Sequence, residues 1–426
     1  MEYQKHTLKN GLRIIIVPRK DTEAVAVYLG VGVGSRYEKE HTAGISHFAE
    51  HMCFKGSKKR PSALEVSEFI EDIGGIVNAY TSKEHTSYYV KIASTHLERA
   101  FDYLADNLIN PLNDPVEFER ERGVIIEDLK MHKDRPMEEV AELFEEALFT
   151  ETNLARRIGG SVESVSNITL KDLNAFESDY YFSENCVLAV VGDLNGMSES
   201  QIVSMAERYF CFDKGDKSKA KHSGTSDQFK IISDARPIEQ TNIIIGFGGP
   251  SLLAEDRYAA KVMAMVLGGG MSSRMFTEVR EKRGLAYAIF SSCQGYSDTG
   301  MIYTQAGIAN NNLSESIETI INEYKKMVES KITEQELSRA KEMIKGGLLI
   351  SLEDSDEIAD MLVSMELDQG RILNIKDVIA RVEAVSVNDV SKITNKYFDF
   401  KKMLVSVVGP HVTEQKIASI IEKINI

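Results

Sequence analysis

The sequence has few cysteines, no long apolar run and no excess of basic residues, and each shortage excludes a class of protein. Its four cysteines are scattered without CxxC spacing, which predicts a reducing compartment and no disulfide framework. No apolar run approaches the length that spans a bilayer, so we expect no membrane association. The formal net charge of −15 argues against a nucleic-acid partner and favours basic or neutral ligands.

The size and composition are those of an ordinary globular protein. The 426 residues are enough for two or three domains, and 43% of them are hydrophobic and 27% charged. The start of the chain, MEYQKHTLKNGLRIIIVPRK, lacks the ordered charged, apolar and small-residue regions of a signal peptide. We therefore expect a cytoplasmic protein, with a mitochondrial matrix-like compartment as the alternative if a presequence has been removed.

Histidine is also scarce, with nine in the chain, yet two of them lie four residues apart around a glutamate. In AGISHFAEHMCFKGS, a rotation of about 100° per residue puts His47, Glu50 and His51 on one helix face. Imidazoles at i and i+4 can bind one metal ion, as in the HExxH zinc helix, and here the order is the inverted HxxEH. The pattern predicts one Zn²⁺ per chain, with Glu50 as the base that takes a proton from an activated water. The alternative is two ordinary helix-face histidines beside a solvent-facing glutamate.

A catalytic zinc site uses three protein ligands, so the two histidines require a third. The helix predicted over 116–132 contains the acidic stretch FERERGVIIEDLK. Relative to its apolar stripe, Glu127 points away, whereas Asp128 lies at the flank on the same side as Glu121. This favours Asp128 as the third ligand, with Glu121 contacting a ligand rather than the ion. The alternative is a solvated acidic face, which we accept for Glu119 and Glu127.

The second half of the sequence repeats the pattern of the first at an offset of a little over two hundred residues. TNIIIGFGG parallels AVAVYLGVG, and MLVSVVG parallels CVLAVVG. A polar stretch, DKGDKSKAKHSGTSD, separates the two copies. We predict an α+β fold of two homologous domains, each a mixed or antiparallel sheet flanked by helices. The predicted boundaries are 1–212 for the zinc-binding domain, 213–228 for the linker, and 229–426 for a domain without metal ligands.

The motifs HFAEHMCFKGSKKR, GGIVNAYTSKEHTSYY, ERERGVIIEDL and MSSRMFTEVREKRGLAY span both halves. Through them the chain resembles the pitrilysin-type zinc peptidases, the HxxEH group that includes processing peptidases of mitochondria and their bacterial relatives. The resemblance implies a zinc endopeptidase in which His47 and His51 bind the metal and Glu50 is the general base. The family has a glutamate at the position of Asp128. Aspartate is one carbon shorter, about 1.5 Å less reach, so Glu127 is the fallback ligand.

The resemblance implies further roles that spacing alone does not reveal. The strand within GGIVNAY is an edge that pairs with the substrate backbone, with Asn78 and Ala79 beside the scissile bond. The arginine and tyrosine of RxxxxxxY, here Arg280 and Tyr287, hold the substrate and stabilise the anionic intermediate. Relatives work with four such domains, so we expect a homodimer that encloses peptides or unfolded segments in one chamber. The alternative function is an inactive partner subunit or scaffold, and Asp128 is the one feature in its favour.

Overall fold

Two compact units make up the protein in this computed structural model. The structure describes residues 2–150, 152–216 and 224–424. The first unit contains 2–129, 156–216 and 350–374, and the other described residues form the second unit. Part of the predicted linker, 217–223, lies outside the described residues.

A six-stranded sheet forms the centre of the first unit. Its strands are β1 (Gln4–Thr7), β2 (Arg13–Pro18), β3 (Ala24–Val31), β4 (Ile76–Thr81), β5 (Thr86–Ala93) and β6 (Cys186–Gly192). Their order in space is β1-β2-β6-β3-β5-β4, with β2 and β6 parallel and the other neighbours antiparallel. Every residue of β6 is buried, because both faces of the sheet are covered.

The sheet of the second unit has the same plan. Its strands are β7 (Lys230–Ala235), β8 (Gln240–Gly249), β9 (Ala286–Gly295), β10 (Gly300–Ala309) and β11 (Leu404–Gly409). Their order is β7-β11-β8-β10-β9, and β7 and β11 are the parallel pair. This is the order β2-β6-β3-β5-β4 of the first sheet. The correspondence confirms the predicted α+β fold with a repeated mixed sheet.

Helices flank both sheets. Those from the first half of the chain are α1 (Ile45–Met52), α2 (Ala63–Glu71), α3 (Leu97–Ile109), α4 (Pro115–Lys133), α5 (Pro136–Leu148), α6 (Val162–Asn167), α7 (Leu170–Tyr180) and α8 (Glu199–Tyr209). Those from the second half are α9 (Arg257–Gly268), α10 (Leu313–Glu329), α11 (Glu334–Ser351), α12 (Ser355–Gln369), α13 (Ile375–Ala384), α14 (Val387–Tyr397) and α15 (Glu414–Ile421). Within the described ranges, none of them has the length and apolar character needed to cross a membrane.

Two helices pack on the sheet built by the opposite half of the sequence. In the first unit, α12 packs on β3 and β6, where Leu362 and Val363 are buried with Val191. In the second unit, α5 packs on β8 and β11, where Phe144 is buried with Ile244. The predicted domain division follows the sequence repeat and stays a prediction, whereas the compact units follow this exchange of helices.

Candidate metal centre

Helix α1 divides its residues between the core and a partly open face. Phe48 and Met52 are fully buried in the core of the first unit. His47, Glu50 and His51 lie on the other side and keep part of their surface accessible. The side chains of the two histidines are 16% and 22% exposed, so neither is enclosed in the core.

The predicted ligands converge at one point. The Nε2 atoms of His47 and His51 are 3.2 Å apart, and Asp128 Oδ2 on α4 lies 3.9 Å from His47 Nε2. One ligand atom from each of the three residues lies within 4.8 Å of the others, and this is the one such group of three found among the described residues. It includes Asp128 rather than Glu127, which is exposed.

The spacing of these atoms fits zinc. Two ligand atoms at about 2.0–2.2 Å from a tetrahedral ion are about 3.4 Å from each other. The histidine pair, at 3.2 Å, already meets that requirement. The separation of 3.9 Å between His47 Nε2 and Asp128 Oδ2 is longer by about 0.5 Å. Two imidazoles and one carboxylate are a donor set that suits zinc. The carboxylate of Asp128 lies slightly farther from His47 than two ligands of one zinc ion would.

Glu121, also on α4, contacts His51 at Nδ1, the ring nitrogen opposite the Nε2 atom that is predicted to bind the metal. Its Oε1 lies 2.7 Å from His51 Nδ1, and its Oε2 accepts a hydrogen bond of 2.7 Å from Lys55 Nζ. Burial opposes ionisation of Glu121, but the contacts with His51 and Lys55 outweigh it and lower the pKa of Glu121. An ionised carboxylate only accepts, so His51 donates from Nδ1 and keeps the Nε2 lone pair for a metal. Glu121 therefore contacts one of the two histidines of the HxxEH motif.

Glu50 is held by a residue that the sequence reasoning did not identify. Thr81 at the end of β4 donates a hydrogen bond of 2.5 Å from Oγ1 to Glu50 Oε2. Burial raises the pKa of Glu50, although the hydrogen bond from Thr81 and the nearby charge of His51 oppose this. A carboxylate with a raised pKa is a better proton acceptor at neutral pH. The sequence signal that could have identified Thr81 is the alternation of side chains along β4, which puts Thr81 on the same face as Ala79.

The start of α1 is fixed by a buried acid. Gly44 has a φ of 95°, and a Cβ there would lie 2.4 Å from the carbonyl oxygen of Gly159, so the position requires glycine. The carboxylate of Glu38 accepts hydrogen bonds from the N–H groups of Gly44, at 2.7 Å, and Ser46, at 2.8 Å. It thus supplies the acceptor that a helix N-terminus needs. Burial raises the pKa of Glu38 to about 7, against the effect of these two N–H groups.

The strand predicted to bind substrate lies at a sheet edge. Among the described strands, β4 is the last in the first sheet, and β5 is its neighbour. Asn78 is exposed and Ala79 is buried, as expected for alternating positions of an edge strand. Because Thr81 of the same strand binds Glu50, this edge runs beside the HxxEH helix. An extended peptide added to β4 would lie next to the predicted base.

Arg280 and Tyr287 lie together in the second unit. Arg280 belongs to a π-helical turn, Phe276–Glu281, a conformation frequent at functional sites. Its guanidinium carbon is 5.2 Å from the centre of the Tyr287 ring, and its Nη1 donates to the Tyr287 carbonyl oxygen. Tyr287 is 76% exposed. The Tyr287 ring is therefore accessible and not part of the core of the second unit.

Sequence comparison finds similar families and relatives over nearly the whole chain. Residues 13–161 match the family described as Insulinase (Peptidase family M16), and residues 167–344 match the Peptidase M16 inactive domain. The chain is 33% identical to the uncharacterized zinc protease YmxG of Bacillus subtilis, over 95% of this chain and 98% of that protein. It is 32% identical to the uncharacterized zinc protease Rv2782c of Mycobacterium tuberculosis, over 97% and 94% of the two chains.

Two solved structures share the fold. A protease from Helicobacter pylori superimposes with a TM-score of 0.88 at 24% identity and covers 96% of this chain and 99% of its own. A Pseudomonas fluorescens protein described as a peptidase M16 inactive domain superimposes with a TM-score of 0.89 at 20% identity and covers 97% and 99%. At these identities the likeness concerns the fold alone. It extends over nearly the whole chain and includes both sheets.

Proposed function

The chain belongs to the insulinase family of peptidases, family M16, and on that premise we propose that it is a zinc-dependent endopeptidase acting on extended peptides or unfolded segments. The observation that carries the proposal is the convergence of His47, His51 and Asp128 beside Glu50. Three such ligands leave one position of a tetrahedral ion open, which distinguishes a catalytic from a structural zinc site.

The proposed roles follow from where each group lies. His47, His51 and Asp128 would hold the ion. Zinc, when bound, supplies a Lewis acid that polarises the scissile carbonyl and lowers the pKa of a water to about 7. Glu50 keeps Oε2 on Thr81, so Oε1 is available to take a proton from the attacking water. Glu50 then passes that proton to the leaving amine, which completes hydrolysis of the peptide bond without a net proton change at the carboxylate.

Substrate binding is assigned to main-chain groups and to the second unit. The edge of β4, at Asn78 and Ala79, would bind a peptide through backbone hydrogen bonds, which tolerates many side-chain sequences. Arg280 and Tyr287 would contribute donors to the developing oxyanion or hold the substrate. The exposed Tyr287 ring and the neighbouring guanidinium support this assignment.

Glu50→Gln is the direct test of the enzyme. The amide keeps the size of the side chain but cannot act as a base, so hydrolysis of an unstructured peptide should fall at least about 100-fold. Zinc content, measured by elemental analysis, should remain about one ion per chain because Glu50 is not a proposed ligand. Glu40→Gln, which changes an exposed acid nearby, is the matched control. Hydrolysis near the wild-type rate in the Glu50→Gln protein would overturn the role of Glu50.

An inactive partner subunit is the second candidate, and one observation favours it. The aspartate at position 128 leaves a separation of 3.9 Å to His47, longer than a zinc site needs. Zinc analysis separates the two functions. About one tightly held zinc per chain with peptide hydrolysis supports the enzyme, whereas a protein that neither retains zinc nor cleaves any peptide supports the partner role.

We also propose that the enzyme works as a homodimer around one chamber. The chain carries both the HxxEH helix and the pair Arg280 and Tyr287, so it need not obtain either from a different subunit. Two-fold symmetry is the commonest way to close such an assembly. Light scattering should give twice the mass of one chain. Mixing Glu50→Gln with Arg280→Ala chains should restore hydrolysis if the second unit serves the partner's zinc site, whereas a fully active monomer would refute the dimer.

A further inference from the structure

The side of α12 next to its apolar stripe carries a row of polar residues. Asp360, Ser364 and Asp368 follow each other at intervals of four and therefore lie along one side of the helix. The apolar stripe of α12 is buried on β3 and β6, which orients this polar row toward the hairpin formed by β4 and β5. All of these elements belong to the first unit.

Each residue of the row binds the hairpin. The Tyr80 hydroxyl donates a hydrogen bond to Asp360 Oδ1. His85 Nδ1 lies 3.1 Å from Asp368 Oδ1, and His85 Nε2 lies 3.4 Å from Ser364 Oγ. Tyr80 and His85 also contact each other, with 3.2 Å between the tyrosine oxygen and Nε2. The network thus joins both ends of the hairpin turn to one helix.

The histidine at the centre of the network is sheltered from water, so its hydrogen bonds are stronger than surface bonds. His85 is 6% exposed. Burial alone would lower the pKa of His85, but the hydrogen bond and the charge of Asp368 outweigh burial and raise it. The contact with Asp368 is therefore stronger than the penalty for burying the imidazolium charge, and it holds the His85 ring in place.

Tyr80 and Thr81 connect this network to the proposed base. Successive side chains of a strand point to opposite faces of the sheet. Tyr80 points to the face covered by α12, and Thr81 points to the face covered by α1, where it binds Glu50 at 2.5 Å. If β4 shifts because its contacts with α12 are lost, the Thr81 hydroxyl that holds Glu50 therefore shifts with it.

We propose that Asp360 and Asp368 are positioning residues for peptide hydrolysis, because they fix Tyr80 and His85 and thereby the strand whose Thr81 orients Glu50. The inference rests on the proposed peptidase function. It adds to the HxxEH helix a requirement for α12, which comes from the second half of the chain. Neither aspartate is assigned contact with zinc or with substrate.

The test measures kcat, KM and zinc content for Tyr80→Phe, Asp360→Ala and Asp368→Ala, with Glu357→Gln as control. Glu357 lies on the same side of α12, one turn earlier, and is exposed. Misplacement of a catalytic group by about 1 Å can cost about 100-fold in rate. We expect kcat to fall about tenfold or more in the three variants, with zinc content unchanged, while the control keeps wild-type kinetics. Asp360→Asn, which can still accept from Tyr80, should recover most of the rate.

A double-variant cycle separates positioning from simple stabilisation. If Tyr80 acts through Thr81, then Tyr80→Phe should reduce kcat strongly in the wild type but add little in a Thr81→Ala background. Chemical denaturation of each variant shows that the protein is folded at the assay temperature. Independent, multiplying effects of the two substitutions, or wild-type kcat in folded Tyr80→Phe, would overturn the inference. An inactive wild type that retains zinc would instead overturn the proposed function itself.

Discussion

Lengthening the acid at position 128 is the most informative single change in the site. The 3.9 Å between Asp128 Oδ2 and His47 Nε2 exceeds the value for two ligands of one zinc ion by about 0.5 Å. Closing that gap with aspartate requires a distorted side chain or a shift of α4, and an off-rotamer side chain costs about 0.5–1.5 kcal/mol. Asp128→Glu adds about 1.5 Å of reach and removes the need for distortion. Since about 1.4 kcal/mol is a factor of ten, zinc should bind about 2- to 12-fold more tightly.

The measurement is a zinc titration in competition with a chromophoric chelator, on wild type, Asp128→Glu, Asp128→Ala and Glu127→Ala. Asp128→Ala should lose most of its affinity, because it leaves two protein ligands instead of three. Glu127→Ala is the matched control one residue away on the exposed side of α4, and it should resemble wild type. Equal zinc affinity in both alanine proteins would refute the assignment of the third ligand. Weaker binding in the Asp128→Glu protein would refute the argument from reach.

Two other predictions concern pH and salt. Burial raises the pKa of Glu38 and Glu177 to about 7 from an ordinary 4.5. Each group therefore stabilises the folded state fully below about pH 4.5, by about 3 kcal/mol, and loses this contribution as pH rises through 7. Glu38→Gln and Glu177→Gln should each flatten the change of the urea midpoint between about pH 5 and 7, and an unchanged slope in both would contradict this. The net charge of −15 should favour cleavage of basic over acidic peptides of equal length, with a preference that shrinks as salt rises from about 0.05 to 0.5 M. A salt-independent preference would show that the charge is ordinary solvated surface.

Local patterns were sufficient to predict most of the fold. The apolar runs CVLAVVG and MLVSVVG, which parallel each other in the sequence, contain the buried strands β6 and β11. Their repetition predicted the two related sheets. The position of α12 was not predictable in this way. Its apolar stripe, which includes Leu362 and Val363, indicates that the helix covers a sheet, but nothing in the stripe specifies which of two similar sheets it covers.

The site shows the same contrast between local and distant information. Helical rotation alone put His47 and His51 on one face and turned Asp128 inward, and the structure brings these three together. Each of these relations depends on a single helix and on which side of that helix faces the protein core. The contact of Thr81 with Glu50 depends on the packing of β4 against α1, which no periodicity encodes. For the same reason, the sequence pattern gave no sign that Tyr287 is exposed.

An edge strand that binds substrate is hydrogen-bonded to its sheet on one side only, and the contacts of α12 indicate what else would hold β4 in place. β4 is hydrogen-bonded to β5 on one side, and in the proposed function its other side must stay available for a peptide. A strand held by one neighbour opens more readily than a central strand. Here the free side cannot be covered without blocking substrate, so additional restraint has to act on a face of the sheet. Tyr80 provides it on the α12 face, while Thr81 uses the opposite face to hold Glu50. The edge proposed to receive the peptide and the proposed base are thereby fixed by the same two consecutive residues.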